Sequence, residues 1–175
     1  MLAYPSRRSE PDDVRVELIS ALYRVLWPTF IITVVFLAVA MFSYSEADVR
    51  GRTWVAAIAA AGTAAAIYKM LLILRFRYRS PAPLTIVEAQ TWERSHAYTG
   101  WVFSAAVGSL TALNFSSPAP MPQLLATALL FGHCAGIVVR GLVRPRICTI
   151  SLLLVVNPVV VAAAMQGDLG HYLLA

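Results

Sequence analysis

Residues 25–44 read VLWPTFIITVVFLAVAMFSY. This uncharged run follows Arg24 and gives way to Ser45 and Glu46. It has the length of an α-helix that crosses a hydrocarbon layer roughly 30 Å thick. Four more apolar runs follow: Thr53–Leu74 with Lys69 inside it, Tyr98–Leu113, Leu124–Val139 and Ile147–Met165. The third and fourth are short, and they cross a bilayer if flanking side chains reach to the interface. No run alternates apolar with polar residues, which excludes the wall of a transmembrane barrel. The expected fold is all-α, a polytopic transmembrane helical bundle of five spans.

The composition agrees. Of 175 residues, 59% are hydrophobic and 13% charged, where a soluble domain carries about 25% charged residues. The net charge of +5 does not indicate nucleic acid, because the basic residues sit between apolar runs instead of along one helical face. Anionic lipid headgroups at one membrane surface are the expected partners. Cys134 and Cys148 both lie within apolar runs, so a secreted disulfide scaffold is excluded. Residues 1–24 are charged and mixed, unlike a cleavable signal peptide. There Val14, Leu18, Leu22 and Val25 recur at helical spacing, which predicts an amphipathic helix lying in the interface. The expected division is a segment over 1–24 and a membrane domain over 25–175.

Lysine and arginine set the orientation. Arg7, Arg8, Arg15 and Arg24 precede the first span; Lys69, Arg75, Arg77, Arg79 and Arg94 surround the second connection; Arg140, Arg144 and Arg146 lie in the fourth. Only Arg50 and Arg52 fall on the other side, a division of twelve against two. The positive-inside rule then puts the N-terminus in the cytoplasm. Gly170-His171-Tyr172-Leu173-Leu174-Ala175 reads as the opening of a sixth span, against the alternative of a short hydrophobic tail. The uncharged segment from Asn114 to Pro122 reads as a turn, and Ser80-Pro81-Ala82-Pro83 as the stop of the second helix.

Small residues recur every fourth position: Gly100, Ser104, Gly108 and Ala112 in the third span; Ala128, Gly132 and Gly136 in the fourth; Ala57, Ala61 and Ala65 in the second. Such stripes let helix backbones approach closely where lipid supplies no hydrophobic drive for association. Packing within the chain is the expected use, and a homodimer interface the second. His133 lies mid-span beside Cys134, and an ionisable group there is a functional candidate. The bland alternative is a neutral histidine bonded to a neighbouring helix. No metal or haem is expected: His96 sits at the mouth of its span and His171 on the far side, so neither matches His133 in depth. Asn157-Pro158 marks either a bent polar site or a packing kink. A ligand pocket would draw on His133, Asn157 and Ser104. Lys69 is near enough to the cytoplasmic end to snorkel there. Trp54, Tyr68, Tyr98 and Trp101 suit interfacial positions.

No phosphate-binding loop, His-Glu-x-x-His or Gly-x-Ser-x-Gly motif occurs, and no cofactor or catalytic residue is expected. Three pieces point further: Arg15–Tyr23 before the first span, Thr91-Trp92-Glu93-Arg94-Ser95-His96-Ala97-Tyr98 leading into the third, and Gly136–Arg140 with Arg144-Pro145-Arg146 and a proline-containing fifth span. With these the chain resembles the N-terminal multi-span region of bacterial membrane-bound GGDEF-type diguanylate cyclases. The resemblance implies an inner-membrane sensory module, non-catalytic itself, feeding a cytoplasmic output domain that makes cyclic di-GMP. It also implies six helices in all. Neither a Gly-Gly-Asp-Glu-Phe nor a Glu-Ala-Leu signature occurs here, so no catalytic, GTP-binding or magnesium-binding residue carries over. Coupling to the output would run through Glu93, Arg94, Arg140, Arg144 and Arg146. The alternatives are a small transporter or channel subunit, and a structural membrane partner.

Overall fold

The computed structural model describes residues 26–78, 86–117, 119–141 and 144–166. They form five helices: α1 (Leu26–Glu46), α2 (Val49–Arg77), α3 (Ile86–Phe115), α4 (Pro120–Gly141) and α5 (Pro145–Gln166), with no strand among the described residues. The expected interfacial helix over 1–24, the Ser80–Pro83 stop and the opening of a sixth span near 170 lie outside the described residues.

Each helix follows from its residues. Ala47 and Asp48 alone separate α1 from α2, and the Asp48 carboxylate accepts a hydrogen bond from Gly51 N–H at 2.8 Å. That contact satisfies one of the amide groups left open at a helix start. Arg52 Nε donates to the Ala47 carbonyl at 3.0 Å, and the guanidinium lies over the Tyr44 ring at 5.6 Å. The turn is thereby fixed from both sides. Polar side chains inside the helices bond back to their own backbone: Thr33 to the Thr29 carbonyl, Ser43 to Val39, Thr111 to Val107 and Asn114 to Leu110. A polar group left without a partner in hydrocarbon is costly, and these local bonds remove that cost.

Short connections make sequence neighbours antiparallel in space. Each helix packs on the next, and α3 also touches α1 and α5, so it reaches all four others. The core runs through Phe36, Val39 and Ala40 of α1, Val55 and Ala66 of α2, Phe103, Ala106, Val107 and Leu110 of α3, Leu129 of α4 and Val155 of α5. Every helix contributes. In lipid such a core is held by close packing rather than by exclusion of water.

Four helices, α1, α2, α4 and α5, are long and apolar enough to cross a membrane. By length and composition this is a multi-pass membrane protein. The central helix α3 is less apolar and is not among the four. Its polar residues His96, Thr99, Ser104, Thr111 and Asn114 are buried against its neighbours, so they meet protein rather than lipid. It also begins at Ile86, twelve residues before the expected Tyr98. Glu88, Glu93 and Arg94 interrupt the apolar run without breaking the helix.

The small-residue stripes pack unevenly. A Cβ at Gly108 would lie 2.5 Å from the Val155 carbonyl oxygen of α5, so α3 and α5 meet there backbone to backbone. At Gly132 and Gly136 an added Cβ meets nothing within 4 Å, and Ala128 is exposed. On α2, Ala57 and Ala61 face outward, and Gly62 is the close contact instead. A Cβ there would sit 2.7 Å from the Phe36 ring. Cys134 and Cys148 are free thiols.

Candidate functional site

α1, α3 and α5 begin, and α2 and α4 end, at the side of the bundle that carries Arg75, Arg77, Arg94, Arg144 and Arg146. In the half of the bundle nearest this basic end lies a cavity of about 420 Å³. All five helices line it. α1 supplies Pro28, Thr29, Ile31, Ile32 and Thr33; α2 supplies Ala66 and Lys69; α3 supplies His96, Gly100, Phe103 and Ser104. The remaining wall comes from Gly132, His133, Gly136 and Ile137 of α4, and from Ile147, Cys148 and Ser151 of α5, with Arg144 just ahead of that helix. The volume falls in the range of small-molecule sites, roughly 300–1,000 Å³.

The cavity exists because side chains are missing where helices would otherwise meet. Gly100, Gly132 and Gly136 form a backbone-lined wall. A Cβ placed on Gly100 would stand 3.7 Å from Lys69 Nζ. Lys69 therefore turns into the bundle instead of out to the interface, which corrects the expectation that it snorkels. Ser104, only 1% exposed, bridges to His133: Oγ and Nε2 are 3.1 Å apart. The Phe103 ring meets the His133 imidazole edge to face, centroids 5.4 Å apart. His133 is thus held in place by α3 from two consecutive residues.

His96 is buried and lines the same cavity. It lies eight residues before Ser104 on α3, about 12 Å along the helix axis. The two histidines share a chamber but stand at different depths. No group of three or more metal-ligating side chains occurs among the described residues.

Asn157 does not join this site. It is exposed on α5 and lines neither this cavity nor the apolar one at the opposite end. The pocket expected from His133, Asn157 and Ser104 thus loses its middle member. Pro158 and Ala112 instead line a second, apolar cavity of about 470 Å³ near the opposite end, together with Trp54, Ser109 and Met165. Trp101 is partly buried and donates from its indole nitrogen to the Ile147 carbonyl at 3.4 Å. That contact ties α3 to α5 beside the main cavity, whereas Trp54, Tyr68 and Tyr98 are exposed.

At the basic end Arg144 and Glu93 form an ion pair, Nε to Oε1 at 3.0 Å, and both side chains are mostly covered. Arg94 and Arg146 are exposed. The side chain of Arg140 lies outside the described residues. Arg144 is therefore both a cavity wall and a partner of a residue on the outer stretch of α3.

No family model, curated protein or solved structure matches this chain. What the site does has to be read from its own geometry. A mostly apolar chamber with two histidines, two cations and several hydroxyls offers binding. Sequence reasoning named Ser104 and His133 for a pocket and Arg144 only for the coupling face, and it did not name His96, Lys69, Gly100 or Arg144 as wall residues. The signal was present in their spacing: His96, Gly100 and Ser104 fall four apart on one face of a helix.

Proposed function

We propose that this chain is a membrane-embedded sensory or regulatory module, not itself catalytic, in which a ligand in the main cavity biases the arrangement of the five helices. One observation carries the reading: every helix contributes a wall to the cavity. A ligand shifts a bundle only as far as it binds one arrangement more tightly than another, and an occupant here would touch all five moving parts at once. Arg144, in the wall and paired with Glu93, connects the chamber to the basic end.

Under this reading the bundle crosses the bacterial inner membrane five times with the basic end in the cytoplasm, supported by the twelve-to-two division of Lys and Arg. Anionic headgroups meet Arg75, Arg77, Arg94 and Arg146 there. Glu93, Arg94, Arg140, Arg144 and Arg146 form the face that passes the signal to a cytoplasmic output, of the diguanylate cyclase type by the resemblance noted above. The module works as a homodimer. Asn157, an amide exposed halfway along α5, supports that assembly, since lipid offers an amide no hydrogen bond and a second copy does.

The test is made in cells. Ser104→Val and His133→Leu are introduced separately into the chromosomal gene, and intracellular cyclic di-GMP is followed. Altered levels in both variants at unchanged membrane abundance are expected. Levels equal to those of the parent strain in both would remove the cavity as a sensing site.

A further inference from the structure

We propose that the main cavity takes a linear hydrocarbon chain, which enters sideways from the bilayer between α1 and α4. The proposal rests on the sensory reading of the cavity and names the class of molecule it senses: a lipid recognised by its tail.

Most polar groups of the lining are already engaged by the protein. Ser104 and His133 bond to each other, and the Thr33 hydroxyl donates to the Thr29 carbonyl. Arg144 pairs with Glu93, and the Cys148 thiol reaches the Ile137 carbonyl at 3.8 Å. Lys69 and His96 have partners of their own within the protein. What these contacts leave for an occupant is hydrocarbon surface, from Ile32, Ala66, Phe103, Ile137 and Ile147. Water needs about two to four polar partners to stay in such a space. A void, in turn, leaves the lining atoms without dispersion partners on one side. A chain restores those contacts, and close packing is what drives association where the solvent is lipid.

The direction of entry comes from the wall. Pro28, Ile31 and Gly132 line the cavity and are themselves exposed, and an added Cβ at Gly132 meets nothing within 4 Å. Both α1 and α4 are long and apolar enough to cross the membrane, so the gap between them faces lipid. From His96 to Ser104 the lining extends about 12 Å along α3. Bilayer chains run in the same direction, across the membrane, so a tail slides in without turning over.

The chain has two sources, the tail of a bilayer phospholipid or a free long-chain alcohol, and two probes separate them. The protein is reconstituted in phosphatidylcholine nanodiscs with hexadecanol or with phosphatidylcholine, either one carrying a diazirine midway along its chain. Labelled residues are mapped after irradiation. The readout is Phe103 and Ser104, which are 6% and 1% exposed, so lipid surrounding the bundle does not reach them. Labelling of these two residues is expected, competed by unlabelled dodecanol and not by butanol. Gly132→Leu narrows the opening and should lower labelling by about tenfold. Gly136→Leu fills the chamber from another position where an added Cβ meets open space, with the same result expected. Ala128→Leu adds equal bulk to an exposed site of α4 outside the lining and should leave labelling unchanged. A melting temperature equal to that of the parent qualifies each variant.

Labelling by the phospholipid probe identifies a membrane lipid tail as the occupant, and labelling by the alcohol alone identifies a free amphiphile. Absence of labelling at Phe103 and Ser104 with both probes, equal competition by butanol, or undiminished labelling in the two glycine variants would overturn the proposal. The sensory reading fails separately, if labelling is as expected while cellular cyclic di-GMP ignores Gly132→Leu.

Discussion

A methyl group added at Gly108 would sit 2.5 Å from the Val155 carbonyl oxygen, with the Leu154 carbonyl at 2.7 Å. Backbone cannot rotate aside as a side chain can. Gly108→Ala should therefore cost about 1–3 kcal/mol by overpacking, read as a lower unfolding temperature in detergent. Gly136→Ala meets open space. It should hold or gain stability, up to about 1 kcal/mol from the better helix former. The two belong to equivalent small-residue stripes in the sequence, and only the neighbours differ. Asn157 shows the same limit of legibility: α5 is apolar nearly all round, so periodicity marks no buried face, and the residue fell outside the chamber it was assigned to. Its exposure gives a different expectation. If the proposed homodimer forms through this face, Asn157→Leu should shift it toward monomer by about threefold or more, since interhelical polar contacts in membranes are worth about 0.6 kcal/mol or more. Light scattering after size exclusion checks it.

Helices α2 and α3 have 29 and 30 residues, against 21 or 22 in the others. At the basic end α3 starts seven residues before Glu93, the level of Arg144, an overhang of about 10 Å. A second small core supports it: Leu72, Ile73 and Ala89 are buried with Leu26, Phe76 and Trp92 packed around them. The Phe76 and Trp92 rings meet edge to face at 5.5 Å. Trp92→Ala should remove about 0.5–1.5 kcal/mol of ring pairing beyond the lost contact area. If the overhang carries the signal, this variant lowers output in cells at unchanged membrane abundance. The apolar runs revealed each helix because lipid demands them. They did not reveal the overhang, because Glu88, Glu93 and Arg94 interrupt the apolar run there and hydropathy has nothing to report. Lys69 was legible as a cation near one end, but its direction depends on Gly100, a residue of another helix.

Taken whole, the bundle has a basic end and an end where Arg50 and Arg52 are the only Lys or Arg among the described residues. The proposed topology makes a direct expectation. A single cysteine at Ser116, in the connection after α3, should react with an impermeant maleimide added outside intact cells, and one at Arg146 only after permeabilisation. The reverse pattern would invert the bundle and remove the cytoplasmic coupling face. The central position of α3 has a further consequence in that topology. It is the one of the five described helices not apolar enough to count as a span by length and composition, and it touches the other four. Alone at the insertion channel it would gain little by leaving for lipid, so it waits beside the α1–α2 hairpin until α4 and α5 emerge and close around it. Biogenesis then depends on order: a ribosome stalled after α3 leaves a nascent chain that slips back or is degraded, whereas one stalled after α2 leaves a stable hairpin.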